Sequence, residues 1–474
     1  MKRILLPFVI LLSVIFLCAS CLDDSNDTDF VYYEDTAISG FSLGTLNRYL
    51  HTTSSTGEDS IYRVSVTGSN YKFYIDQMKH EIYNVDSLPV GTDNAHVICN
   101  ITSKNSGLIV IKDMDSDTLR YYSETDSIDF TKTREISVYD MAGTGKRTYK
   151  VNVNVHNEYG DSLKWNLMCS DNALGSLKAM KALHCNGNLF VFGTDGTYTY
   201  AFRSDEADGS TWTQLTYNFN HPVPAKDYDN VAVKDGYIYM LSNGMLMKTA
   251  DGGNWEQVYS GKEITRLVGA GSKKLYALDG NGGIKWSEDG MAWTPETLDG
   301  AKGKLPDADI CFVTVPLNTN AQTERMVMVG NHAQKDGADD MAALVWSKLE
   351  EYAPNSDSHS WIFYENTEKK LLPRLENLVM QYYDGRLVAF GGKERDGGEA
   401  KAFGQFYVSK DNGLTWAEDS QFYFPEGFSS NDGTFAFVKG KDNFIWIICG
   451  GTGQVWRGRI NRLGWKEYQT SFIE

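Results

Sequence analysis

Acid–base chemistry needs paired carboxylates, but 62 Asp and Glu among 474 residues make some pair unavoidable, so their number selects no site. Spacing discriminates better. His80-Glu81 opens a zinc-hydrolase pattern, yet Asn84 stands where the second His must share a helix face with the first. Gly145-Lys146 ends like a phosphate loop, but Asp140 fills the place of its leading glycine. Gly450-Gly451-Thr452-Gly453-Gln454 is glycine-rich and has no lysine to reach a phosphate. One Gly-x-Ser-x-Gly occurs, at Gly40-Phe41-Ser42-Leu43-Gly44. A nucleophilic serine needs that motif at a strand-to-helix turn of an α/β sheet, and here it opens a stretch patterned as β, so Ser42 is expected in a strand. No spacing indicates a catalytic residue, a metal site or a cofactor.

The N-terminus carries a different chemistry. Met1-Lys2-Arg3 is basic, Ile4 to Leu17 is almost wholly apolar, and small residues precede Cys21. That is the layout of a secretory signal over residues 1–20, and the apolar run is short for a span of about 20 residues. Cys18-Ala19-Ser20-Cys21 resembles the lipobox of bacterial lipoproteins, in which the cysteine at the cut is acylated. The acidic run Asp23, Asp24 and Asp27 after it is similar to the surface-export signal of Bacteroides-type lipoproteins. The resemblance implies lipidation at Cys21, a tether over 21–30, and an outer-membrane protein facing outward. The remaining Cys99, Cys169, Cys185, Cys311 and Cys449 are odd in number and lack C-x-x-C spacing, so they read as small buried hydrophobes, with one disulfide left open. A net charge of -17 argues against nucleic acid, whose phosphates are met by Lys and Arg.

Length beyond about 250–300 residues points to more than one core. Aromatics at 13% and 44 Gly against 10 Pro favour strands joined by tight turns. Residues 31–157 alternate with period two, as in Tyr62-Arg63-Val64-Ser65-Val66, and predict an antiparallel β-sandwich. The stretches 37–44 and 82–89 resemble Ig-like modules of Bacteroides-type surface lipoproteins. From 161 to 474 a repeat recurs. Its fullest copy is Ser409-Lys410-Asp411-Asn412-Gly413-Leu414-Thr415-Trp416. Shorter or shifted copies hold Asp208 and Trp212, Asp251 and Trp255, and Asp289 and Trp293, and degraded ones end in Trp361 and Trp465.

This repeat resembles the Asp-box of sialidase-like β-propellers. There Asp accepts backbone N–H bonds across a hairpin, Gly takes a positive φ, and Trp is an apolar wedge. The Asp and Trp positions are therefore scaffold. The whole reads as an all-β chain, an Ig-like sandwich followed by a six-bladed β-propeller, with seven blades as the alternative. Trp165 belongs to a further outer strand, which could close the ring beside the last blade or cap the junction with the sandwich. The arginine cluster and Arg-Ile-Pro motif of sialidases are missing, since Pro373-Arg374-Leu375 has the wrong order.

Propeller ligands usually meet the face where the inner strands begin. The starts of those strands supply Tyr228, Arg266, Asp309, Arg374 and Asn431, flanked by enlarged loops at 331–340 and 393–399. The resemblance to uncharacterised Bacteroides-type surface lipoproteins carries no activity with it. The expectation is a module binding a glycan or a protein ligand, with the membrane reached through the lipid. A glycan hydrolase with an unfamiliar site and a docking subunit of an outer-membrane assembly are the alternatives.

Overall fold

The computed structural model describes residues 35–465 except 54–58, 220, 301, 335–340, 355, 366–369 and 432. The signal, Cys21 and the tether lie outside the described residues. Two compact units divide between Tyr159 and Gly160.

In the first unit, Ile38–Leu43 pairs antiparallel with Cys99–Ser103, and Thr45–Thr53 pairs with Asp59–Thr67. A six-stranded sheet completes it. Ser42 sits inside Ile38–Leu43, opposite Asn100, with no helix following. One pair departs from the antiparallel expectation: Glu81–Asn84 runs parallel to Lys146–Asn152. The long chain between those two strands supplies the crossover that a parallel pair requires. Alternate residues such as Ile82, Ile136, Val138, Tyr149 and Val151 face one core, as period two dictates. Tyr149 is fully buried, and its hydroxyl is satisfied by Ile38 N and Gln77 Oε1.

The second unit is a β-propeller of six sheets among the described residues. The sheets begin with Ala179–Cys185, Val231–Lys234, Arg266–Ala270, Ala308–Pro316, Val379–Tyr383 and Phe435–Lys439. Each of these strands neighbours the first strand of the next sheet, and Phe435–Lys439 comes back to Ala179–Cys185, so the ring is closed. A twisted sheet of four strands leaves two apolar faces, and only the neighbours on either side can bury both.

Closure joins the two ends of the unit. Leu163–Ser170 pairs antiparallel with Gln454–Ile460 and becomes the outer strand of the sixth sheet. Gly458 lies opposite Trp165, and a Cβ there would stand 2.5 Å from the indole. The Trp165 ring occupies that space while its Nε1 donates to Tyr423 O at 2.8 Å. Trp465, which ends a degraded copy of the repeat, follows the short 3-10 turn Asn461–Gly464 beyond the last strand. The outer place in the sixth sheet is taken by the strand carrying Trp165.

Three hairpins share one bonding pattern. Asp251 accepts from Gly253 N and Asn254 N, Asp289 from Met291 N, and Asp411 from Thr415 N. In each, the indole of Trp255, Trp293 or Trp416 donates to the carbonyl of Gly252, Gly290 or Gly413 at 2.9–3.1 Å. The hairpin leans on the sheet before it. A Cβ on Gly252, which has φ +83, would meet Leu215 and Phe190 of the first sheet below 3 Å. The same test finds Leu246 of the second sheet beside Gly290 and Val345 of the fourth beside Gly413. The fourth copy is looser: Asp208 accepts from Thr211 N, and Trp212 is only half-buried.

Candidate functional site

The innermost strand of each sheet has no partner on its axial side, so its outward carbonyls need donors from elsewhere. Side chains of neighbouring sheets supply them. Lys181 Nζ donates to Asp229 O and Val231 O at 2.8 and 2.9 Å. Cys311 Sγ donates to Leu378 O at 3.0 Å, Gln381 Nε2 to Phe437 O at 3.1 Å, and Thr434 Oγ1 to Lys178 O at 2.7 Å. These bonds tie sheet to sheet around the axis and leave an axial cavity of about 350 Å³. Its walls mix polar and apolar surface: Met180, Val268 and Met380 stand beside Lys181, His184, Asp229, Asp309 and Lys439.

Where the inner strands begin, charges are interlocked. Asp229 Oδ2 accepts from Arg266 at 2.5 Å, and the same guanidinium donates to Asp307 O at 2.6 Å. Asp309 Oδ2 accepts two bonds from Arg395, at 2.8 and 2.5 Å, and a third from Asn331 Nδ2, while its Oδ1 accepts from Asn377 N. Carboxylates held this way are positioned acceptors.

Burial acts on four groups of the cavity wall. It pulls the Lys181 amine down to about 8, although the Asp229 carboxylate works against it. It lowers Lys439 with no carboxylate to offset it, pushes the Cys311 thiol up to about 12, and raises the Tyr228 phenol. All five described cysteines are free, and Cys99, Cys185 and Cys449 are buried.

One groove adjoins the cavity on this face, and a second adjoins the first. The first, of about 710 Å³, runs from Lys226 and Tyr228 past Asn243 and Lys262 to Arg266. The second, of about 800 Å³, runs from Arg266 past Asp279 and Asp307 to His332 and Ala333. Tyr228 and Asp229 belong to both the cavity and the first groove, and Thr265 and Arg266 to both grooves.

Of the residues singled out in the sequence, Tyr228, Arg266 and Asp309 therefore come together at the rim. Arg374 does not line it. It is buried behind the rim, bonded to Asp396 Oδ2 at 2.5 Å and His332 O at 2.7 Å, and it braces the loop that carries Arg395. Asn431 stands exposed beside Gly450, outside both grooves and the cavity. The loop at 393–399 delivers Arg395 to Asp309; positions 335–340 of the other enlarged loop lie outside the described residues. Lys181, Asp229 and Lys439 were not singled out. The signal for the two lysines is a lone lysine in, or closing, an apolar inner strand, as in Ala179-Met180-Lys181-Ala182-Leu183 and Phe435-Ala436-Phe437-Val438-Lys439.

No curated protein matches the chain. Among solved structures, one described as "Calcium structure of Trichoderma reesei Carbohydrate-Active Enzymes Family AA12" is 10% identical, with a TM-score of 0.39, and the match covers 63% of this chain and 96% of that one. A Trypanosoma rangeli sialidase with bound 2,3-difluorosialic acid is 14% identical, with a TM-score of 0.36, over 61% of this chain. The chain spans about half of that sialidase's length, 54%. The N-terminal domain of Nup159 is 10% identical, with a TM-score of 0.31, over 63% of this chain and 96% of its own. Two family models match in tandem: "Domain of unknown function (DUF6242) N-terminal domain" over residues 41–153, and "DUF6242 beta propeller domain" over residues 159–468. The chain belongs to the DUF6242 family.

Proposed function

We propose that this protein is a cell-surface binding module, held at the bacterial outer membrane by lipid on Cys21, whose propeller grips an extended glycan across the rim of its axial cavity. One observation carries the reading. Arg266 stands in the common wall of two adjoining grooves, and Tyr228 in the wall between the first groove and the cavity. Adjoining concavities edged by Lys226, Asn243, Lys262, Asp279 and Asp307 suit a hydroxyl-rich chain, which needs donors and acceptors spread along its length. Tyr228 offers an apolar ring face to a sugar. The rim is pre-organised: Arg266 is fixed by Asp229 and Asp307 before any ligand arrives, which limits the ordering cost of binding. The anchor rests on the lipobox-like stretch 18–21 and the basic and apolar segments before it.

The test is a glycan and mucin array probed with the full chain in detergent, alongside Tyr228→Ala and Arg266→Ala. Binding to an oligosaccharide should fall about tenfold or more in each variant. Cys21→Ser should move the chain out of the membrane fraction. Binding untouched by both rim variants, or hydrolysis of an arrayed glycan, would overturn the reading.

A further inference from the structure

The axial cavity has a charge balance opposite to that of the chain. Its two carboxylates are neutralised from outside, since Arg266 and Arg395, which bond Asp229 and Asp309, are not part of its lining. His184 is paired with Glu206, Nε2 to Oε2 at 2.8 Å. Two ammonium groups remain. Lys181 gives two of its three donors to Asp229 O and Val231 O and keeps the third. The Lys439 ammonium makes no hydrogen bond or ion pair among the described residues.

Two ammonium groups with no bonded carboxylate line one cavity, and in a protein of net charge -17 no general positive field explains them. We infer that the cavity takes an oxyanion, a carboxylate or sulfate group on the bound glycan, held by Lys181 and Lys439. This rests on the rim as the ligand face and names the chemistry of what it receives: an acidic saccharide whose charged group enters the axis while the neutral chain lies in the grooves. The third donor of Lys181 and the three of Lys439 are enough to engage both oxygens of a carboxylate.

The probes are sodium glucuronate, sodium sulfate and glucose, titrated calorimetrically into the full chain at fixed ionic strength. Saturable heat is expected for glucuronate, for sulfate or for both, and not for glucose; the responding probe names the anion. Lys439→Met should weaken the responding probe about tenfold or more, whereas Lys439→Arg, which keeps charge and donors, should hold it within a few-fold. A cooperative melt of each variant establishes that it folds, and Lys181→Met serves if Lys439→Met does not. Equal silence for anions and glucose, or anion binding that survives both Lys181→Met and Lys439→Met, overturns the inference. Oligosaccharide binding lost in Tyr228→Ala but indifferent to both lysine variants would sink the anion alone and leave the rim standing. Glucuronate binding beside an array that stays dark would sink the groove reading alone.

Discussion

The second, third and fifth sheets are wedged to their neighbours by Asp-Gly-Trp hairpins, and the fourth is not. Between Leu344–Glu351 and Trp361–Phe363 the described residues form no such hairpin. Its wedge is Trp361, fully buried, with its ring edge-on to Tyr276 of the third sheet at 5.7 Å. Beside it runs a buried ionic chain. Lys348 Nζ lies 2.7 Å from Glu296 Oε1 and 2.8 Å from Glu350 Oε2, Lys274 pairs with Glu350, and Tyr276 donates to Glu350 at 3.0 Å. The same task, locking one sheet to the next, is done in three places by bonds within five residues and in one by partners from two sheets. Local wedges repeat in sequence; the non-local one leaves no repeat to read.

Three substitutions test this difference between the sheets. The largest effect is expected at Lys348→Ala, which removes the cation bonded to the buried Glu296. Removing one partner of a buried pair costs about 3–5 kcal/mol. Urea denaturation of the full chain measures it, and a loss below about 1 kcal/mol would show that the ionic chain carries little of the lock. Next is Gly252→Ala. A methyl there meets Leu215 and Phe190 and must hold φ +83, a strained state of about 1–3 kcal/mol. Asn at the same place, which tolerates that φ but not the crowding, separates backbone strain from contact with the first sheet.

The smallest is Asp251→Ala, about 1 kcal/mol, since this carboxylate is partly exposed and solvent screens it. Its signature is in pH. Bonds from the Asn254 backbone and side chain hold the Asp251 carboxyl well below the usual range, against the effect of burial. The Met291 amide does the same for Asp289. A carboxyl with a depressed folded value contributes its stability above the unfolded value, about 4, and loses it as the pH falls through the folded one. Melting temperature should therefore fall less steeply below pH ~4 in Asp251→Ala than in the parent. Identical slopes would mean that the hairpin bonds add nothing.

Legibility followed the range of the interaction. Ser409, Asp411, Gly413 and Trp416 bond to one another, so their types and spacing announce the hairpin. Tyr228, Arg266 and Asp309 could be placed near the starts of inner strands because each precedes or opens an apolar run. Arg374 has the same sequence context and ends up behind the rim, because Asp396 and His332 O take its guanidinium. Nothing local to Arg374 encodes those partners.

By itself the sequence determined the class of structure, its β-propeller repeat and the chemistry of three hairpins, because backbone geometry and short-range bonds decide those. Tertiary structure alone decided that the strand of Trp165 closes the ring, that Arg395 reaches Asp309, and that Lys181 and Lys439 share one cavity. Those groups lie far apart along the chain. Their meeting depends on how sheets pack around an axis, and a periodic pattern of apolar residues fixes which side of a strand is buried without fixing what it is buried against.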